Sequence, residues 1–355
     1  MFLSKFVLRN MKTTEIIFPA EWAEQDFIQL TWPHEASDWL YMLDEVTECF
    51  TRLAHAIARF QPLLIVCSDV DAVCNQLSDI DFQSDVLFVE HPSNDTWARD
   101  HGGISIFRDG KPVLCDFTFN GWGLKFAANH DNVITRQLYK NGFFAKEVEY
   151  QNHLDFVLEG GSLESDGNGT LLTTSECLFS DNRNGSLTTT EIEKVLSDRL
   201  GIKRFLWLHH GYLQGDDTDS HIDTLARFCN PETIAYVKCD DENDEHYPEL
   251  KAMEDELKQF RTAAGKPYRL LPLPMAAAVV EDGERLPATY ANFLILNGGV
   301  LVPTYNSHLD SAALEQIQKA FPTREVVGID CLPLIKQHGS LHCVTMQYPK
   351  GFLNI

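Results

Sequence analysis

The chain has 355 residues, enough for one large domain or two of ordinary size, and its 44% hydrophobic and 23% charged composition is that of a globular protein with material for a core. Fifty-two acidic residues against 29 basic ones leave a formal net charge of −23, which argues against nucleic acid or an anionic membrane as partner and would draw in a small cation. Nine scattered cysteines without a C-x-x-C pair suit reduced thiols in the cytoplasm better than a disulfide framework or structural zinc, and no apolar run reaches membrane-spanning length.

Residues 1–10 read as a disordered extension, since Met11 follows directly and the apolar stretch is too short for a secretory signal. Residues 11–355 read as a single domain. A strand over 27–32 ends at Pro33, and Leu40, Leu43, Val46, Phe50, Leu53, Ile57 and Phe60 then recur with a helical period over 38–60. Strand 62–67, helix 69–77, strand 86–90, strands 103–107 and 112–119, and helix 131–140 before Asn141-Gly142 follow. Strands 154–158 and 169–174 precede a helix with a Thr190/Glu193 capping box and a stop at Gly201. Then come strands 204–208 and 233–239, helix 249–263, strands 268–272, 290–296 and 299–304, helix 311–320 capped by Asp310 or Ser311, and strand 341–347. Helices recur about every 50 to 60 residues with short strands between them and no linker, which suits one domain of similar strand-helix units.

Five stretches combine polar groups and glycines in ways that packing does not demand. Gly215 opens an acidic turn, Asp216, Asp217 and Asp219, that leads into His221-Ile222-Asp223 at the head of an alternating run. As a strand this run would put His221 and Asp223 on one face, one pleat apart, where an imidazole can carry protons and a carboxylate can bind a cation; an acidic surface loop is the plain alternative. In Asp95-Thr96-Trp97-Ala98-Arg99-Asp100-His101, Trp97 offers a flat face to a planar cation and Asp100 a carboxylate, against a turn with a half-buried Trp and an Arg99 ion pair. Phe119-Asn120-Gly121-Trp122-Gly123 is a tight loop. Glu159 of Leu158-Glu159-Gly160-Gly161 is either a solvated strand end or an acid aimed into a pocket. Cys343, in Gly339-Ser340-Leu341-His342-Cys343, fits an exposed, tunable thiol and a candidate nucleophile rather than a small core residue.

Taken together, these stretches resemble the agmatine deiminase and bacterial peptidyl-arginine deiminase family of the guanidine-modifying superfamily. Leu171 to Cys177 with Asn182-Arg183-Asn184, and Asn297-Gly298-Gly299-Val300 through Asn306, match it too, so that seven pieces stand in family order. The resemblance implies an α/β fold, a five-bladed α/β propeller (pentein) of pseudo-fivefold strand-helix units with the site on its axis. Two departures stand out: many agmatine deiminases have Asn-Gly before the catalytic His and Gly-Gly-Gly-Asn-Ile before His-Cys, where this chain has Asp219-Ser220 and His338-Gly339-Ser340-Leu341.

On this resemblance the expected activity is a cofactor-independent hydrolase, with no metal, that deiminates a guanidinium group. Asp100 and Asp223 would bind guanidinium N–H groups, Glu159 would orient His221, Cys343 would attack as thiolate, and His221 would move the protons. Trp97, Trp122 and Asp217 would line the pocket, and Asn292 would hold the Cys343 loop. The expected substrate is agmatine, giving N-carbamoylputrescine and ammonia, because the bases near the motif loops are only Arg99 and Lys125; peptidyl arginine or free arginine is the alternative. The partner is then a small cationic guanidine, and a homo-oligomer is compatible with the sequence. Rival classes are a metal-dependent hydrolase built on Asp216, Asp217, Asp219, His221 and Asp223, and a non-catalytic module for cationic peptides, which leaves Cys343 without a role.

Overall fold

Parallel strands require a crossover, and this chain supplies a helix each time. The computed structural model describes residues 14–353, so the proposed extension over residues 1–10 lies outside the described residues. Five sheets share one order: a strand antiparallel to the central one, the central strand, a helix, and a strand parallel to the central one. In the first sheet Thr345–Pro349 pairs antiparallel with Gln25–Thr31, which runs parallel to Leu63–Cys67 and, through it, Val86–Glu90. Here the chain's last strand closes onto its first large one. The second sheet sets Ile104–Arg108 against Lys111–Thr118 and Glu149–Val157, with the short Ile16–Ile17 at its edge. The third holds Glu164–Ser165, Thr170–Thr174 and Arg204–Leu208, and the fourth Ala226–Asn230, Thr233–Lys238 and Arg269–Pro274. The fifth holds Leu294–Ile295, Gly299–Thr304 and Glu325–Asp330. The crossover helices are Leu43–Ala58, Ile134–Lys140, Thr189–Leu200, Tyr247–Gln259 and Asp310–Ala320, and Val70–Gln76 makes the further crossover to Val86–Glu90.

The helices form where an apolar stripe can be buried. Leu43–Ala58 buries Val46, Phe50, Leu53 and Ile57, and the expected 38–60 helix begins instead as a tighter 3-10 turn, Asp38–Met42. The capping box of Thr189–Leu200 is Thr188 with Glu191, two residues before the expected pair. Both pairs have the required spacing. Glu193 is drawn off to accept from Trp207 Nε1 at 2.9 Å, while Ile192, Leu196 and Leu200 are buried. Gly201, at φ +73°, ends the helix in the left-handed conformation.

Three expected strands are corrected. His221 to Leu225 is not extended: Ile222–Thr224 is a 3-10 turn, and the strand begins at Ala226. Thr224 Oγ1 donates to the His221 carbonyl at 2.8 Å, which gives the backbone a local alternative to a sheet ladder. The last strand likewise starts at Thr345, not 341, and Thr345 Oγ1 donates to the His342 carbonyl at 2.9 Å. The strand expected over 290–296 shrinks to Leu294–Ile295, since residues 290–293 are held by side-chain hydrogen bonds. Among the described residues no helix is long and apolar enough to cross a membrane.

Candidate active site

Each sheet delivers side chains from the residues just before the strand that opens its order. Asp100 precedes Ile104–Arg108, Glu159 precedes Glu164–Ser165, His221 and Asp223 precede Ala226–Asn230, Asn292 precedes Leu294–Ile295, and His342 and Cys343 precede Thr345–Pro349. Three of these turns use the same device, a hydroxyl three residues on that bonds back to a carbonyl: Thr224 to His221, Thr345 to His342, and Ser162 to Glu159 at 2.7 Å. The backbone before each strand is thereby folded into a single tight turn that aims its side chains away from the sheet.

The groups meet around Gly161. His221 Nε2 lies 2.9 Å from Glu159 Oε2, and its Nδ1, buried and without a hydrogen-bond partner, lies 3.6 Å from Asp100 Oδ1. Asp100 accepts from Trp122 Nε1 at 2.9 Å and from the Gly161 amide at 3.0 Å. Cys343 Sγ is 3.9 Å from Asp223 Oδ2 and 3.4 Å from Asn292 Oδ1. Asn292 Oδ1 also accepts from the His342 amide at 2.8 Å, and its Nδ2 donates to the Asp223 carbonyl at 3.2 Å, which ties two catalytic-site turns together. The glycines are there for closeness: a Cβ on Gly160 would stand 2.2 Å from the Arg99 carbonyl oxygen, and one on Gly161 would stand 2.5 Å from His221 Nδ1.

A cavity is lined by Asp38, Asp95, Trp97, Asp100, Trp122, Phe126, Asp217, Thr218, Gln337, His338, Gly339 and Cys343. Gly339 packs on the Trp97 ring, where a Cβ would come within 2.2 Å. On the loops that carry this lining, several residues sit in the left-handed region without being glycine: Trp122, Leu124, Asp219, Ser220 and His338, with φ from +53° to +68°. Such strain collects at functional loops when neighbours enforce it. At Ser220 the Asp216 carboxylate accepts from its amide and Glu176 accepts from its hydroxyl.

The electrostatics divide the groups. Burial favours neutral His221, but Asp100, Cys177 and Glu159 outweigh it and raise its pKa well above the usual histidine range. Burial would likewise raise Glu159, yet His221 and Arg183 hold it low, as His342 and His221 do for Asp223. Asp100 is pushed up to about 6 by burial, against the pull of His221 and with the repulsion of Asp223 and Glu159. Burial and the neighbouring Asp216 carboxylate push Asp217 to about 6, and burial does the same for Asp95. Burial, Asp223 and Asp100 raise the Cys343 thiol well above its ordinary value.

Several expectations change. Cys343 is buried, 5% exposed, rather than an exposed thiol, because its turn is roofed by Asn292, Asp223 and the cavity rim. Of the two readings of Glu159, the structure has the acid turned inward: it is 1% exposed, and Arg183 Nε and His221 engage its oxygens. Neither of the two bases near the motif loops lines the cavity: Arg99 is buried beside the His342 carbonyl, Met346 and Glu21, and Lys125 is held by Asp219 and the Asp217 carbonyl. The acidic metal set is dispersed. Asp216 caps its own turn, Asp219 holds Lys125 and Arg183, and Asp223 meets His342. Among the described residues, Glu159, Cys177 and His221 are the one group whose ligand atoms lie within 4.8 Å of one another, and that carboxylate already holds Arg183.

Sequence reasoning gave no role to Arg183, Glu21, Arg227 or His342. Arg183 stood in the Asn182-Arg183-Asn184 piece without a function. Glu21 and Arg227 looked like ordinary charges on a loop and a strand, and only the fold pairs them across 206 positions at 2.6 Å.

Comparison with known proteins shows the family. A crystal structure from Porphyromonas gingivalis, provisionally assigned as an arginine deiminase, superposes with a TM-score of 0.92 at 59% identity, covering 96% of this chain and 100% of that one. A cysteine-to-serine variant of the C. jejuni agmatine deiminase with substrate bound superposes with a TM-score of 0.90 at 38% identity, over 97% and 99% of the two chains. The agmatine deiminase of Stutzerimonas stutzeri is 33% identical over 94% of this chain and 96% of its own length. Residues 17–349 match the Porphyromonas-type peptidyl-arginine deiminases, and the chain belongs to that family.

Proposed function

We propose that this protein is a cysteine-dependent hydrolase that deiminates agmatine to N-carbamoylputrescine and ammonia. The observation that carries this reading is the convergence of a thiol, an imidazole and two carboxylates on one point, with Cys343, Asp100 and Trp97 all facing one acidic cavity. Asp100 and Asp223 grip guanidinium N–H groups, Trp97 packs on its plane, and Trp122 and Asn292 hold Asp100 and the Cys343 turn in place. The bound cation offsets the carboxylate repulsion that keeps Cys343 protonated, so the thiol loses its proton to solvent and attacks as thiolate. Its sulfur forms a bond to the guanidinium carbon. The C–N bond then breaks with the electron pair leaving on nitrogen, to which His221, kept protonated by Glu159 and Asp100, gives its proton. Neutral His221 next takes a proton from water, the hydroxide adds to the same carbon, and the C–S bond breaks to release the thiolate and the ureido product, whose new hydroxyl gives its proton to solvent as the carbonyl forms. No step uses a cofactor or a metal.

The tail assignment rests on charge. Asp38, Asp95 and Asp217 line the cavity beyond Asp100, and no lysine or arginine does. A terminal ammonium fits such a lining and a carboxylate does not. We further read the five like-ordered sheets as the five blades of an α/β propeller (pentein) in one catalytic domain, with the site on its axis, in a cytoplasmic enzyme. Measuring kcat/KM for agmatine, free arginine and an arginyl peptide side by side tests the assignment. Agmatine should win; an arginyl peptide winning would reassign the tail, and no ureido product from any of the three would refute the deiminase reading.

A further inference from the structure

His342 is buried between two carboxylates. Its Nδ1 lies 2.7 Å from Asp223 Oδ2 and its Nε2 lies 2.7 Å from Glu21 Oε2. Behind it, Glu21 accepts from Arg227 Nη2 at 2.6 Å and from the Ile295 amide at 2.7 Å, and Arg227 is itself anchored on Glu164 and the Phe293 carbonyl. Every side chain in this line is 6% exposed or less. Asp223 Oδ1, by contrast, is buried with no hydrogen-bond partner.

An imidazole with one N–H can donate to only one of two carboxylates, so the two 2.7 Å contacts tie the ring to Glu21 and Asp223 at once and fix its orientation. Burial and the Arg227 and Arg99 cations push His342 toward the neutral form while Glu21 and Asp223 pull the other way, and the two carboxylates are themselves held below their usual range. Resting on the deiminase reading above, we propose that His342 is a positioning residue: braced by Glu21 and Arg227, it fixes Asp223 Oδ2 beside Cys343 and reserves Oδ1 for the substrate guanidinium.

Two substitutions separate this from simple packing. An asparagine amide nitrogen can occupy the place of Nδ1 and keep the Asp223 contact, whereas glutamine reaches the place of Nε2 and keeps only Glu21. His342→Asn should retain kcat/KM for agmatine within about tenfold of wild type, and His342→Gln should lose about a hundredfold, with a raised KM, as supporting partners of site groups do. Their melting temperatures should fall alike. Equal losses in the two variants, or losses that follow melting temperature, would overturn the proposal. Should both fail to fold, Glu21→Gln keeps the size of the brace and removes its charge: a KM raised severalfold supports the proposal and an unchanged KM overturns it. Absence of turnover by the wild-type enzyme on any guanidine would instead strike the deiminase reading itself.

Discussion

Gly161→Ala puts a single methyl group where the site converges. Gly161 does not adopt a left-handed φ, so alanine meets no backbone bar, and the effect is steric. The added Cβ would lie 2.5 Å from His221 Nδ1, 2.8 Å from Asp100 Oδ1 and 3.3 Å from Asp223 Oδ2, where ordinary contact begins at 3.4 Å. His221 must therefore retreat by about 0.9 Å, and a misplacement of about 1 Å costs on the order of a hundredfold in rate, or about 2.7 kcal/mol of transition-state stabilisation. Overpacking of this kind costs about 1–3 kcal/mol of stability, which a domain of ordinary stability survives. The variant should fold, melt a few degrees lower, and turn over agmatine about a hundredfold more slowly, with the larger share in kcat because His221 is the nearest group. Gly298→Ala, whose Cβ would meet only the Phe60 ring, at 3.3 Å, is the control and should stay near wild type. The assay is ureido product formation beside a melting curve for each protein. A Gly161→Ala enzyme within threefold of wild type would refute the convergence on which the mechanism depends.

With Asp100 and Asp217 both pushed up to about 6, kcat/KM for agmatine should fall as pH drops through about 6, where the free enzyme's carboxylates take up protons, while kcat should hold to lower pH because bound cation keeps them ionised. A pH profile of both constants checks this, and an acid limb identical in kcat and kcat/KM would contradict it. The stability contribution of the same two groups has the opposite sign: the folded state holds these protons more tightly than the unfolded chain, so their repulsion is relieved as pH falls from about 6 toward the unfolded carboxylate value of about 3.9. Cys343→Ala should abolish turnover while calorimetry still detects agmatine, since Asp100 and Asp223 remain. Prolonged EDTA treatment should leave kcat unchanged; loss of activity that a divalent ion restores would favour a metal at Glu159, Cys177 and His221.

The chemistry of this site was legible because it is written in short local motifs. Asp100, Glu159, His221, Asp223 and Cys343 each stand beside glycine or within a few residues of a hydroxyl, and the Glu159/Ser162, His221/Thr224 and His342/Thr345 spacings that build their turns can be found by eye. The secondary structure around them was misread for the same reason. A hydroxyl that bonds three residues back turns an alternating run such as His221 to Leu225 into a 3-10 turn, and periodicity alone does not register the competition. The crossover helices were easier, since an amphipathic stripe survives any tertiary context. What the sequence hid is the support behind the site. Arg227 and Glu21 meet only when the fold joins the fourth sheet to the loop before the first. Arg99 lies two residues from Trp97, yet its side chain faces the far side of the Cys343 turn, away from the substrate cavity. Ser220 shows how a departure from the family pattern is absorbed: it occupies a left-handed conformation at φ +61°, held by Asp216 and Glu176.

The central claim is a bond between Cys343 sulfur and the guanidinium carbon. Rapid mixing of enzyme with excess agmatine, acid quenching within a turnover, and mass analysis of the peptide that carries Cys343 test it directly. The account predicts a transient adduct on Cys343 with the mass of agmatine less ammonia, formed and lost at rates that match product release. Full turnover with no adduct on that peptide, or a Cys343→Ser enzyme working at the wild-type rate, would contradict it.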